Sequence, residues 1–159
     1  MRLIIVFLIF SSFAFGQKIY QKTYHANGNL KAESWSENNL KTAYWKFYHN
    51  NGNLKKQGHF KNNKEVGYWR AYYNKGILKG VGQLDDQNPI GFWKFYYINK
   101  TLKKQGRFKN GLETGYWKFY HDNGILHSQG ILNKGKEQVT GKYMTVLTNL
   151  KKKLFLKTA

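Results

Sequence analysis

Cysteine is absent from all 159 residues. That excludes a disulfide scaffold, a thiolate metal centre and a lipid anchor on an N-terminal cysteine, so packing must supply the stability of the fold. Proline occurs once, at Pro89, and is expected in a connection between strands, where it removes no ladder hydrogen bond. Acids are scarce: 8 Asp and Glu stand against 27 Lys and Arg, for a formal net charge of +19. Such a field attracts polyanions. The one long apolar run, Leu3 to Phe10, falls short of the ~20 residues that a membrane-spanning helix needs. After residue 17 no apolar spacing of three to four residues is sustained, which argues against amphipathic helices.

Met1 and Arg2 precede that run, and Ser11 to Gly16 closes it with the small residues Ala14 and Gly16. This order predicts a secretory signal peptide over residues 1–16, cleaved near Gly16/Gln17. The expected location is therefore periplasmic, cell-envelope or extracellular. Loss of Arg2 would lower the charge from +19 to +18. The partners predicted in that compartment are a protein or an acidic cell-surface polymer, with anionic lipid as an alternative. Nucleic acid is disfavoured, because an exported chain does not meet it as its normal partner.

What the sequence has in place of long apolar runs is a beat. Trp45, Trp69, Trp93 and Trp117 recur every 24 residues, as do Tyr24, Tyr48, Tyr72, Tyr96 and Tyr120. Gly67, Gly91 and Gly115 stand two residues before the tryptophans, and Gly58, Gly82, Gly106 and Gly130 keep the same interval. Three series in one register predict a repeat protein of about five units. The front unit, Tyr24 to Glu33, lacks its tryptophan half, and at the back Gly141-Lys142-Tyr143 puts Tyr in place of Trp. Such degenerate ends are expected of capping repeats.

Each unit reads as a β-hairpin. Asn27-Gly28, Asn51-Gly52 and Asn123-Gly124 separate strand-like runs, and Asn-Gly best supplies the positive φ angles of a tight two-residue turn. Lys75-Gly76 is a weaker version, and Asn99-Lys100 has lost its glycine. Alternation places Trp45, Phe47 and His49 on one face and Tyr44, Lys46 and Tyr48 on the other; after the turn, Leu54, Lys56, Gly58 and Phe60 are expected to share a face. A tryptophan needs a vacancy opposite it, so each is expected to lie across the glycine of a neighbouring strand.

The pattern Gly-Tyr-Trp-Lys-Phe-Tyr-x-x-Asn-Gly-x-Leu, repeated over residues 24–145, resembles the MORN repeat, specifically the bacterial variant represented by YwqK-type antitoxin proteins. The resemblance implies an all-β fold, an elongated, single-layer antiparallel sheet of consecutive hairpins, expected here over residues 17–145 after the signal-peptide helix read from residues 1–16. It also implies a scaffold or binding role, with lipid or protein contacts, and a partner toxin for an antitoxin or immunity-type member. Residues 146–159 are expected to form a basic-apolar cap or tail, in which Lys151 to Lys153 and Leu154 to Leu156 could lie on anionic membrane surfaces.

Catalysis needs unlike groups converging on one point, whereas repeats spread like groups along a line. His25, His49 and His121 hold the position of Tyr73 and Tyr97, which marks a turn-flanking aromatic. His59 stands where Gln83 and Arg107 stand, a solvent-facing strand position, and only His127 is out of pattern. Glu65 and Glu113 read as solvated connecting-loop residues, some of them paired with lysines, and Asp85-Asp86 as their counterpart. No phosphate loop, zinc-helix motif or nucleophile elbow occurs. The reading is a non-enzymatic chain that needs no cofactor or metal. Its candidate binding face is the ladder of Lys46, Tyr48, Arg70, Tyr72, Lys94, Tyr96, Lys118 and Tyr120, since amphipathic aromatics beside cations make binding surfaces.

Overall fold

The structure, a computed structural model, describes residues 18–38, 40–133 and 136–138. The expected signal peptide and its helix, the Gly141-Lys142-Tyr143 unit and the C-terminal tail lie outside the described residues. The strands are β1 (Lys18–Tyr24), β2 (Leu30–Glu37), β3 (Leu40–Lys41), β4 (Ala43–Tyr48), β5 (Leu54–Lys61), β6 (Lys64–Tyr72), β7 (Leu78–Asp85), β8 (Asn88–Tyr96), β9 (Leu102–Lys109), β10 (Leu112–Tyr120), β11 (Leu126–Asn133) and β12 (Lys136–Gln138). They form one antiparallel sheet in chain order, with the two-residue β3 paired to β2 just ahead of β4. This is the expected all-β sheet of consecutive hairpins.

Two kinds of turn alternate along it. At the Asn-Gly sites only the glycine is left-handed, with φ of 83° at Gly28, 86° at Gly52 and 85° at Gly124, and Lys100 takes the same conformation at 72°. These are longer turns that end in a left-handed residue, not the two-residue turns expected from the dipeptide. The asparagine has another task. Asn27 Oδ1 accepts the Asn29 N–H, and Asn27 Nδ2 donates to the Asn50 carbonyl of the next turn at 2.7 Å. Asn51 repeats this with Asn74, and Asn99 with Asp122. Tight turns with two positive φ angles occur at the opposite ends of the strands, at Asn62-Asn63, Asp86-Gln87 and Asn110-Gly111.

Pro89 is not in a connection. It lies in β8 opposite Leu84. Its carbonyl accepts the Gly111 N–H, and at the equivalent position in an earlier unit the Lys41 N–H serves the Asn63 side chain instead of a strand. Proline therefore removes no ladder bond there. Glu65 and Glu113 are likewise strand residues, in β6 and β10, and each pairs with a lysine, Lys56 and Lys104.

A bulge in every unit aims the tryptophan. Between β9 and β10 the register passes from Thr114↔Arg107 to Lys118↔Gln105, so Gly115, Tyr116 and Trp117 stand against Gly106 alone. The first bulge residue is left-handed, with φ of 69° at Gly67, 64° at Gly91 and 69° at Gly115, a conformation glycine adopts without the Cβ penalty. The expected tryptophan–glycine contact is present. A Cβ built on Gly58, Gly82 or Gly106 would fall 2.3, 2.2 or 2.2 Å from the indole of Trp69, Trp93 or Trp117.

Burial follows from that contact. Trp45, Trp69, Trp93 and Trp117 are 2%, 3%, 8% and 0% exposed. Each indole N–H donates to the carbonyl three residues earlier, at Thr42, Val66, Ile90 and Thr114, so burial strands no donor. Phenylalanines bridge successive tryptophans: Phe60 meets Trp69 edge-on at 5.3 Å and Phe108 meets Trp117 at 5.2 Å. Lys56 Nζ lies 5.2 Å from the Phe47 ring centre and 5.3 Å from that of Trp69, and Lys104 repeats this on Phe95 and Trp117. One face of the single layer is thereby closed by its own aromatics, with lysine stems as a lid.

Candidate functional site

The opposite face is not closed. A second bulge places it. Phe47 pairs with Lys56 but Tyr48 pairs with Leu54, so Lys55 is the extra residue. Leu54 therefore points with Tyr48 and not with Lys56, contrary to simple alternation, because counting by two fails across an inserted residue. The same step at Tyr72/Leu78, Tyr96/Leu102 and Tyr120/Leu126 gives each tyrosine a leucine beside it. Tyr48, Tyr72, Tyr96 and Tyr120 are half-buried, whereas Tyr24, set against Leu30 by the same step but on the edge strand β1, is 58% exposed.

These tyrosines are held by the sheet as well as lining it. Gln57 Nε2 donates to the Tyr72 hydroxyl at 2.8 Å and Gln105 Nε2 to that of Tyr120 at 3.3 Å. In the first unit the glutamine is replaced by Glu33, which accepts from the Tyr48 hydroxyl at 2.6 Å and from Tyr20 at 2.9 Å. The Tyr48 bond in particular, helped by the Tyr20 bond and the nearby Lys46 and Lys22 charges, holds the Glu33 carboxyl below its usual value against the opposing effect of burial. Burial, followed by the Glu33 bond, pushes the Tyr48 phenol well up.

Of the ladder cations, Lys46, Arg70 and Lys94 are exposed and Lys118 is half-exposed. Register puts them side by side with the Glu33/Gln57/Val81/Gln105 column: Glu33↔Lys46, Gln57↔Arg70, Val81↔Lys94 and Gln105↔Lys118.

Although alternation placed Tyr44 beside Lys46 and Tyr48, a further column of exposed aromatics on this face lies outside the predicted ladder. They stand one position before each tryptophan: Tyr44, Tyr68, Phe92 and Tyr116, with Tyr20 as the front member, 37%, 67%, 46%, 50% and 45% exposed respectively. The signal was present in the Gly-aromatic-Trp motif, whose aromatic recurs every 24 residues on the face away from the tryptophan. Beside them runs a variable column, in which Trp35 meets Tyr20 edge-on at 5.2 Å and His59 meets Tyr44 at 4.9 Å. Tyr44, Gln57, His59, Tyr68, Arg70 and Val81 enclose a shallow cleft of about 130 Å³.

The histidines at the turns have structural employment. His25 Nε2 and His49 Nε2 lie 3.0 and 3.2 Å from the carbonyls of Tyr48 and Tyr72, and the Tyr73 and Tyr97 hydroxyls donate to the carbonyls of Tyr96 and Tyr120. His and Tyr interchange there because each can present a donor to the same carbonyl. His127 packs on His121 with ring centres 4.7 Å apart.

Three stretches of the chain, residues 19–34, 41–62 and 113–133, match the family described as MORN repeat variant. The stretch between the last two matches includes the unit whose closed face departs most from its neighbours. There Ala71, Gly80 and Pro89 replace Phe47, Lys56 and Glu65 of the unit before. No curated protein matches the chain. Among solved structures, a chain in the crystal structure of accessory secretory protein 1,2 and 3 in Streptococcus pneumoniae aligns at 12% identity and a TM-score of 0.37. The alignment covers 63% of this chain and 18% of that one, so this chain spans less than a fifth of that protein's length.

Proposed function

We propose that this scaffold of MORN repeat variants is exported, has no catalytic role, and binds an anionic cell-envelope partner through the open Tyr/Lys face. The observation that supports the reading is the asymmetry of the sheet. One face buries its tryptophans to 8% exposure or less, while the other leaves Tyr68 67% exposed beside the exposed cation Arg70. An aromatic on a face with nothing packed over it among the described residues costs solvation without adding to the core, and a line of them beside cations forms the donor-rich surface that interfaces use.

Weak contacts repeated along a line act together through effective concentration. Charge draws the partner in, and the rings hold it. The signal-peptide reading of residues 1–16 supports export, and it places the +18 mature chain among envelope polyanions.

The test is retention of partners from an envelope extract on the immobilised chain. Capture at low salt and release at about 0.5 M salt, where the screening length falls to roughly 4 Å, is the expected result. Capture that 0.5 M salt leaves untouched would remove the electrostatic half of the reading.

A further inference from the structure

The open face has a repeat distance as well as a charge. Neighbouring strands lie about 4.8 Å apart, and equivalent residues recur every second strand, so the aromatic column from Tyr20 to Tyr116 and the cation column from Lys22 to Lys118 each advance by about 9.6 Å per unit. The columns have five rungs each. Within a rung, aromatic and cation are two residues apart on one strand, and so point to the same side. Resting on the anionic-partner reading above, we propose that the partner is a linear acidic polysaccharide carrying one carboxylate per disaccharide, laid across the strands with one disaccharide per repeat.

Three features select that ligand. The advance per repeat matches the length of two pyranose rings joined by an extended glycosidic link. One ring can then turn its apolar C–H face onto Tyr68 or Phe92 while the uronate ring meets Arg70 or Lys94.

The second feature is the polarity of the surface. Lys, Arg, Gln and Tyr present donors, and the carboxylate lying within the field, Glu33, has both oxygens occupied by the hydroxyls of Tyr48 and Tyr20. Glu37 and Asp85 stand at strand ends beside the tight turns. Carboxylates and hydroxyls arriving from a ligand therefore find partners without displacing an existing acid.

The third is twist. Each strand turns by about 20–25° on the next, so successive rungs rotate by roughly 40–50°. A chain with a rotatable bond at every sugar follows that path, whereas a rigid protein surface touches two or three rungs and loses the rest. An extended peptide would also span the repeat, but a sheet face offers it no free backbone groups; those belong to sheet edges.

The measurement is calorimetric titration of the full chain with even-numbered oligosaccharides of alternating glucuronate and N-acetylglucosamine, from two to fourteen sugars. Affinity is expected to rise by about threefold or more with each added disaccharide and to level off once five rungs are filled. Carboxyl reduction of the decasaccharide is expected to weaken binding by about tenfold or more, as is the pair Tyr68→Ala and Phe92→Ala, which removes exposed rings and no core contact. Affinity independent of length, or unchanged by carboxyl reduction, would overturn the proposal. So would absence of binding to every oligosaccharide while the envelope extract still yields a salt-released protein; that result would leave the anionic-partner reading standing. If the extract yields nothing that salt releases, both fall.

Discussion

Gly106 is the position at which the packing account makes its largest claim. A Cβ there would lie 2.2, 2.4 and 2.5 Å from Cδ2, Cε2 and Cγ of Trp117, where carbon atoms in contact sit about 3.5–4.0 Å apart. The indole would have to retreat by more than about 1 Å. It has nowhere to go: Trp117 is 0% exposed, Phe108 stands edge-on at 5.2 Å, Phe119 is stacked at 6.1 Å, and its N–H is tied to the carbonyls of Arg107 and Thr114 at 3.2 Å.

Overpacking of this kind costs about 1–3 kcal/mol, and loss of the indole hydrogen bond adds about 1 kcal/mol. Gly106→Ala is thus expected to cost about 2–4 kcal/mol, and Gly106→Val more. Urea titration followed by tryptophan fluorescence reads this out: with a slope of about 2 kcal/mol/M the midpoint falls by roughly 1–2 M. Gly130→Ala is the control, because among the described residues nothing lies within 4 Å of a Cβ there. Equal midpoints for parent, Gly106→Ala and Gly130→Ala would refute the idea that glycines make room for tryptophans.

Other outcomes follow from the same geometry. Ala43 occupies the left-handed bulge position at φ 66° that glycine fills in later units. Relief of about 1–2 kcal/mol of local strain, less about 0.4–1 kcal/mol for the freer unfolded chain, makes Ala43→Gly stabilising by up to about 1.5 kcal/mol, read as a higher melting temperature. His49→Tyr should be neutral in chemical denaturation, whereas His49→Phe, which cannot reach the Tyr72 carbonyl with a donor, should cost about 1 kcal/mol. Because the folded Glu33 carboxyl titrates below its ordinary 4.5, its contribution is complete above that pH and is lost as pH falls through the lower folded value. The stability difference between the parent and Glu33→Gln should therefore be flat between about pH 6 and 9 and shrink on acidification below about 4.5; a difference that grows with acid would reverse the assignment. Expression of the full sequence in a secreting host, followed by N-terminal sequencing, should return a chain beginning at Gln17 or Lys18.

The repeat and its hairpins were legible because Trp, Tyr and Gly recur at one interval, and side chains as large as tryptophan leave little choice of what faces them. The contact between Trp117 and Gly106 followed from size alone. Local backbone detail was less legible, for physical reasons. Asn27-Gly28 suits a two-residue turn, but a longer turn that frees the asparagine to bond Asn50 of the next unit gains a tie between repeats, and no single unit contains that information. The tight turns were hidden because Asn62-Asn63, Asp86-Gln87 and Asn110-Gly111 share a conformation but not a sequence. Leu54 was placed on the wrong face because one bulged residue, Lys55, inverts the alternation after it. In the candidate site, the cations and the half-buried tyrosines were read correctly from alternation as lying on one side. Tyr44 was placed on that side too, but the column of Tyr44, Tyr68, Phe92 and Tyr116 was left out of the ladder because the adjacent tryptophans dominate the motif, and its exposure reflects a sheet with no second layer among the described residues.

The central claim is that the open face does the binding, and charge placement tests it most directly. Lys46, Arg70 and Lys94 lie in the ladder, whereas Lys31, Lys55 and Lys79 are exposed bulge residues outside it. Converting either trio to glutamate changes the net charge equally. Binding of an immobilised envelope polyanion should collapse by about a hundredfold for Lys46→Glu/Arg70→Glu/Lys94→Glu and fall only a few-fold for Lys31→Glu/Lys55→Glu/Lys79→Glu. Equal losses from the two trios would mean that bulk charge, and not this face, holds the partner.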